Sequence, residues 1–164
     1  MLWCTFFEIT FTFIGGKKIT AQVHEILILN GQEHLLACCP PIPENLDTII
    51  KISDDDVEKQ IINGKIDIIV QSTACWRGYI GTWEIKDCKF YLNDIVGRYK
   101  KVSKEPLFLE SFSDVLIVPK GKKFCKIHMG FETLFKKKLH IVIKKGNVIQ
   151  QVEICDVGKL SDLY

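Results

Sequence analysis

The sequence predicts a β-rich fold, all-β or α+β, in which an antiparallel sheet forms a sandwich or a partly open barrel. Three observations predict it: short apolar runs alternate with polar residues, turn sequences such as Asn-Gly separate the runs, and helix signals are confined to residues 44–63. The 164 residues are 47% hydrophobic and 26% charged, as in ordinary globular proteins. A chain of this length fits a single domain, residues 1–164.

The two ends of the chain are expected to lie at the margin of the fold. Thr5, Thr10 and Thr12 alternate with large apolar residues, so residues 1–22 are predicted to form an extra N-terminal strand or an extension. A secretory signal is disfavoured because Glu8 interrupts the apolar run and no basic residue precedes it. Residues 156–164 are expected to form a frayed tail. No apolar run reaches the roughly 18 residues of a membrane-spanning helix, so we expect a cytoplasmic protein without membrane contact.

The first hairpin is predicted at residues 24–37. Residues 24–29 and 33–37 are strand-like, and Asn30-Gly31 between them supplies the positive φ angles that a tight type I′ turn needs. The prolines within residues 40–43 then end the strand, because proline lacks the backbone N–H that a sheet requires.

One or two short helices are predicted near residues 44–63. The second of them begins at Ser53 as N-cap, continues with three aspartates that favour the positive end of the helix dipole, and ends at Gly64. The first would occupy residues 44–52, with apolar residues on one side. The acidic stretch does not fit a calcium loop, because Lys59 stands where an EF-hand needs glycine.

The central hairpin is predicted to join residues 79–85 to residues 90–93 through the two-residue loop Asp87-Cys88. This register places four apolar side chains on the core face in two facing pairs, Ile85 with Phe90 and Trp83 with Leu92. Because Asp-Cys is not typical of a primed turn, a bulge that shifts the register is the alternative.

The two central tryptophans are predicted to occupy different environments. Trp76 precedes Trp83 by an odd number of residues, which puts their side chains on opposite faces of a regular strand. Trp83 shares its face with the core residues of the hairpin. Trp83 is therefore expected to be buried, and Trp76 to lie at a strand end or on the other face.

Strands are also predicted on both sides of this hairpin. Residues 97–113 form an irregular stretch that is expected to cover one end of the sheet, and the closing hairpin turns at residues 144–147. The predicted strands are residues 66–71, residues 115–118 stopped by Pro119, residues 124–129, and the hairpin of 139–143 with 148–154.

The chain carries no recognisable catalytic or cofactor motif. Its seven cysteines are scattered, which favours reduced structural thiols over a disulfide framework. Cys75 beside a histidine could form a nucleophile, but the sequence places no histidine next to it. Cys125-x-x-His128 has the spacing of metal ligands, yet residues three apart on a strand point to opposite faces. We therefore predict no catalytic residue, no metal and no cofactor.

The candidate ligand-binding residues are the polar groups closest in sequence to the aromatic block of residues 72–85: Arg77, Tyr79, Glu84, Tyr91 and His128. Arg77 is the most informative of them, because a guanidinium among apolar neighbours must find an anion or carbonyl groups when it is buried. It is either a structural pin or a clamp for a ligand.

The basic residues give a weak indication of a nucleic-acid partner. Lysines concentrate in residues 61–164, and aromatic residues lie between some of them, as in binders of single strands. However, 20 of the 22 basic residues are lysines, whereas nucleic-acid readers rely on arginine. Solvated turns explain the lysines more simply, so a nucleic-acid partner is disfavoured.

The block Ser-Thr-Ala-Cys-Trp-Arg-Gly-Tyr-Ile-Gly-Thr-Trp-Glu-Ile at residues 72–85, followed by Phe90-Tyr91-Leu92 and His128-Met129-Gly130-Phe131, carries a resemblance. Over residues 24–154 the chain resembles a family of small uncharacterised bacterial proteins. The resemblance implies a bacterial or mobile-element origin. It implies no activity, so no catalytic residue is transferred from it.

The sequence favours a non-enzymatic binding or accessory protein of the cytoplasm, of the inhibitor or immunity type, that works through a protein partner. Two alternatives stay open. One is a small-ligand-binding protein or enzyme with a pocket near the hairpin of residues 76–91. The other is a weak binder of single-stranded nucleic acid that uses the lysine-rich C-terminal half.

Overall fold

The structure is a computed structural model that describes residues 22–43, 47–64, 72–126 and 133–155. It confirms the β-rich class. The elements in these ranges are β1 (Glu25–Leu29), β2 (Gln32–Leu36), β3 (Ile49–Lys51), α1 (Asp54–Ile62), a 3-10 turn (Thr73–Cys75), β4 (Tyr79–Lys86), β5 (Lys89–Gly97), β6 (Tyr99–Lys101), β7 (Leu107–Phe108), β8 (Asp114–Lys126), β9 (Thr133–Lys144) and β10 (Asn147–Cys155).

The main sheet has the strand order β2-β1-β4-β5-β10-β9-β8, with β7 paired to β5. It is mixed, because β1 runs parallel to β4 while the other neighbours are antiparallel. The sheet is not closed, but the Ala37 N–H after β2 donates to the Ile117 carbonyl of β8 at 2.8 Å. The two edges of the sheet therefore approach each other, as in a partly open barrel.

Both predicted tight hairpins are confirmed. Asn30 and Gly31 have φ angles of 53° and 73°, and Asp87 and Cys88 have φ angles of 50° and 57°. The second loop is thus a primed turn despite its cysteine. The bulge lies away from the turn, in β5, where Asn93 is the extra residue between the pairs Thr82–Asp94 and Trp83–Leu92. The predicted pairs of the central hairpin, Trp83 with Leu92 and Ile85 with Phe90, are both present.

One of the two predicted helices is confirmed. In α1, Ser53 accepts a hydrogen bond from the Asp56 N–H at 3.2 Å, and the buried Val57 attaches the helix to the protein. The helix predicted over residues 44–52 is wrong where the structure describes it, because Ile49–Lys51 is a strand that pairs with β6. Two adjacent isoleucines favour extended backbone, and β6 supplies the hydrogen bonds.

The strands of the C-terminal part are longer than predicted. The closing hairpin turns at Lys145 and Gly146, with φ angles of 49° and 72°, as the sequence indicated. The stop predicted at Pro119 is wrong, since β8 runs through it from Asp114 to Lys126. The edge position of β8 explains this, because an edge strand can hold a proline whose missing N–H faces away from its neighbour.

Some predicted elements fall outside the described residues. They are most of the N-terminal strand of residues 1–22, the strand at residues 66–71, the end of the strand at residues 124–129, and the tail of residues 156–164.

The core lies on the inner face of the main sheet and centres on Trp83, which is 0% exposed. Its indole stacks on Phe90 with ring centroids 5.4 Å apart, and Phe90 packs on Phe112 at 4.9 Å. Aliphatic residues from five strands and from the 109–112 segment complete the cluster: Leu27, Leu29, Leu36, Leu92, Leu109, Leu116, Val118, Ile141 and Ile143. The predicted burial of Trp83 is therefore confirmed, and Trp76 is indeed outside the core at 74% exposure.

A buried lysine organises the irregular stretch of residues 97–113. Lys101 is 7% exposed, and its ammonium donates to the backbone carbonyls of Asn93 and Ser103 at 3.0 Å and to that of Glu105. Three carbonyl dipoles thus replace water around the charge. The contact fixes the segment that leads to β7 and to the core residue Leu109.

Candidate functional site

A buried ion pair lies between β1 and β4. Glu25 is 0% exposed and faces inward on β1, in the same row as Leu27. The Arg77 side chain is 4% exposed, and its Nε lies 2.8 Å from Oε1 of Glu25. A carboxylate on the core face of a strand needs a positive partner, because burial removes the water that would otherwise solvate it.

The second carboxylate oxygen of Glu25 is held by β4. The indole N–H of Trp83 donates to Oε2, and the Gly81 backbone also hydrogen-bonds to the carboxylate. A Cβ on Gly81 would lie 2.7 Å from that oxygen and 2.7 Å from the indole nitrogen. Glycine is therefore required at this position so that the carboxylate and the indole can meet.

The sequence predicted that a buried Arg77 meets an anion or carbonyl groups, and in the structure it meets one of each. Besides the anion, its Nη2 donates to the Val23 carbonyl at 2.8 Å, and its guanidinium carbon lies 5.7 Å from the centroid of the Tyr79 ring. The Tyr79 ring in turn meets Tyr99 edge-on at 5.6 Å. This geometry is that of a structural pin joining the start of β1 to β4.

The candidate residues divide into two groups on opposite faces of β4. Arg77 and Tyr79 lie on the inner side with Glu25. Glu84 and Tyr91 face each other on the outer side, where Glu84 accepts a hydrogen bond from the Asn93 amide at 2.7 Å and Tyr91 packs on Phe108. The fifth candidate, His128, lies outside the described residues. The four described residues are therefore not brought together around one point.

Glu25 is the site residue that sequence reasoning missed. Its signal is present in the chain, because a period of two places Glu25 on the same face as Leu27 and Leu29. A charged residue within the apolar row of a strand indicates a buried partner of opposite charge. The sequence does not identify the partner, since the pairing of β1 with β4 is not local.

Burial raises the pKa values of the acidic groups in and around the Glu25–Arg77 pair, which favours their protonated, neutral forms. It raises the pKa of Glu25 to about 7, against the lowering effects of the Trp83 hydrogen bond and the Arg77 charge. It raises the pKa of the Tyr79 hydroxyl as well. For the nearby thiols, burial raises the pKa of Cys38 to about 11 and that of Cys39 to about 12. These two thiols carry negligible thiolate at neutral pH, so neither is an activated nucleophile.

Cys75, the nucleophile that the sequence raised as a possibility, is a packed thiol. It is 2% exposed, and its sulfur donates to the Tyr79 carbonyl at 3.2 Å. A thiol in such contacts behaves as a small apolar residue.

The raised pKa of Glu25 predicts that stability falls as pH rises from about 4.5 to about 7. In that window the folded state holds a proton that the unfolded state has released, so raising the pH favours unfolding, by at most about 1.4 kcal/mol per pH unit for one proton. Urea denaturation at a series of pH values measures the slope. In Glu25→Gln, which cannot titrate, the slope should flatten, and an unchanged slope would assign the dependence to other groups.

Trp76 is exposed although its backbone is fixed. Ser72 caps the 3-10 turn by accepting from the Ala74 N–H at 3.2 Å, and the Ala74 carbonyl accepts from Val23 at 2.8 Å. Both neighbours of Trp76 are buried, Cys75 in the packing below the turn and Arg77 in the ion pair. The indole therefore projects into solvent from a rigid base.

Among the described residues, no three histidine, cysteine or carboxylate side chains group as metal ligands would. Within the same ranges, no helix combines the length and the apolar character needed to cross a membrane.

No family model, no curated protein and no solved structure matches the chain. The resemblance to a bacterial family therefore stays a prediction.

Proposed function

We propose that the chain is a non-enzymatic cytoplasmic binding or accessory protein, of the inhibitor or immunity type, that binds a protein partner through Trp76. The observation that carries this proposal is the 74% exposure of an indole between two buried neighbours. Tryptophan is among the residues most enriched in the energetic centres of protein interfaces, because it buries a large rigid surface at low cost in entropy.

The rigid base of Trp76 supports the proposal. The capped turn, its hydrogen bond to Val23 and the Glu25–Arg77 pair hold the backbone on both sides of the indole. A side chain presented in this way loses little freedom on binding, so more of its contact energy contributes to affinity. The ion pair thus has a role in binding through the position of Trp76, without itself touching the partner.

A capture experiment with a matched control tests the proposal. Wild type, Trp76→Ala and Val102→Ala would each be used as bait in extracts of the source cells, Val102 being another exposed apolar residue at 57% exposure. We expect wild type and Val102→Ala to retain the same stoichiometric partner, and Trp76→Ala to bind it at least about ten-fold more weakly. Both variants should keep the stability of wild type to about 0.5 kcal/mol. Equal capture by all three baits would contradict the proposal.

A further inference from the structure

In the part of the chain that the structure describes, no strand covers the outer edge of β10 beyond its first residue. Within residues 22–43, 47–64, 72–126 and 133–155, β10 pairs with β9 along its length but meets β5 at Asn147 alone. Every residue from Ile149 to Cys155 is exposed, including Ile149 at 60%. The strand has no proline and no lysine, the residues that commonly protect an edge from pairing with another strand.

The two faces of this edge differ in character. Val152 lies opposite His140 and Ile154 opposite Lys138, so both apolar residues lie on the outer face, at 39% and 41% exposure. Gln151 and Glu153 lie on the other face, in the row of Ile141. The edge therefore offers backbone groups that no described strand pairs with, an apolar stripe on one face and an amide next to a carboxylate on the other.

We propose that this edge pairs with the same edge of a second copy of the chain, with the two β10 strands antiparallel about a two-fold axis through Val152. The two sheets would then be joined into one across the axis. In this register Val152 meets its own counterpart, and Gln151 lies opposite Glu153 of the second copy. The apolar stripes of the two copies become continuous, and each amide can donate to a carboxylate.

The charges near the edge favour this arrangement. Glu153 already contacts Lys137 at 2.6 Å, which leaves the strand close to neutral. The lysines of β9 lie beside the end of β10, because Lys137 pairs with Cys155 and Lys138 with Ile154. An antiparallel pair puts the two lysine clusters at opposite ends, roughly 20 Å apart, which is beyond the range of screened repulsion at physiological salt. A parallel pair of β10 strands would instead place Glu153 of one copy beside Glu153 of the other, where the two like charges repel.

A second copy is a better occupant than a strand of another protein, because the edge complements itself in hydrophobicity and charge. The pairing involves few residues, so the dimer should be weak and its population should depend on concentration. The surface is separate from the turn that carries Trp76.

Sedimentation velocity from low micromolar to near-millimolar protein tests the proposal. We expect wild type to shift reversibly from monomer to dimer. Val152→Lys and Val152→Glu should each weaken the dimer about ten-fold or more, because like charges meet at the axis, and an equimolar mixture of the two should restore it. The control is Val115→Lys on β8, where the exposure is nearly the same at 36% and the outer face is shared, but the edge is two strands away.

Hydrogen exchange completes the test. Within residues 149–155, the amides that point away from β9 should gain protection as the concentration rises. The proposal is overturned if wild type stays monomeric throughout, or if these amides are protected equally at all concentrations in a monomer, which would mean that another part of the chain covers the edge. Equal weakening by Val115→Lys and Val152→Lys would also overturn it, as would a mixture that fails to restore the dimer.

Discussion

Replacing Trp83 with alanine should lower the free energy of unfolding by about 3 to 5 kcal/mol. Trp83 is fully buried, it stacks on Phe90, and its indole N–H donates to the Glu25 carboxylate. The substitution therefore opens a cavity in the core and also removes a hydrogen-bond donor from a buried acid, and both effects destabilise the folded state. Guanidinium or urea denaturation followed by circular dichroism measures the change.

Two other substitutions separate the causes of this loss. Trp76→Ala removes the same side chain from an exposed position and should change stability by no more than about 0.5 kcal/mol. Trp83→Phe keeps much of the packing but has no N–H. Its loss of unfolding free energy should therefore fall between those of Trp83→Ala and Trp76→Ala. If Trp83→Ala and Trp76→Ala were equally destabilising, the buried position of Trp83 and the exposed position of Trp76 would be wrong.

The local parts of the fold could be predicted from the sequence, because the residues that determine them are close together in the chain. Asn30-Gly31 specifies a primed turn by its own φ preferences. In the central hairpin, the register follows from matching the apolar rows of two strands joined by two residues, which leaves few alternatives. The cap at Ser53 likewise depends on a few adjacent residues.

The non-local parts could not be predicted in the same way. The parallel pairing of β1 with β4 joins strands that are separated by a hairpin, a helix and a turn, and no short sequence pattern encodes it. The strand Ile49–Lys51 depends on β6, which follows much later in the chain. Pro119 lies within a strand because β8 is at the edge of the sheet, and edge position is a property of the assembled sheet.

In the candidate site, too, the local features could be predicted from the sequence and the non-local contacts could not. The chemistry of Arg77 indicated from the sequence that a buried anion or carbonyl groups must be near it. Which anion it meets depends on the pairing of β1 with β4, which brings Glu25 to the beginning of β4, close to Arg77. Glu84 and Tyr91 are neighbours in the hairpin, but the period of two places them on the outer face, away from Arg77.

Replacing Arg77 with methionine should lower the free energy of unfolding by about 3 to 5 kcal/mol at pH values above 7, where Glu25 is ionised in the wild type. Methionine fills a similar space but leaves the buried carboxylate without its positive partner. The loss should be smaller near pH 5, because a protonated Glu25 needs no counter-charge. Denaturation curves at the two pH values measure the difference.

Three variants test whether the pair is a structural pin. Arg98→Met removes the same side chain from the exposed pair with Asp54, which is 2.9 Å long, and should cost at most about 1 kcal/mol. Arg77→Lys keeps the charge but cannot match the fixed fork of donors to Glu25 and the Val23 carbonyl, so an intermediate loss is expected. In the double variant Glu25→Leu with Arg77→Met, apolar residues of similar volume replace both charges, and much of the stability should return. A double variant as unstable as the sum of its single variants would show that Glu25 and Arg77 do not act as a pair.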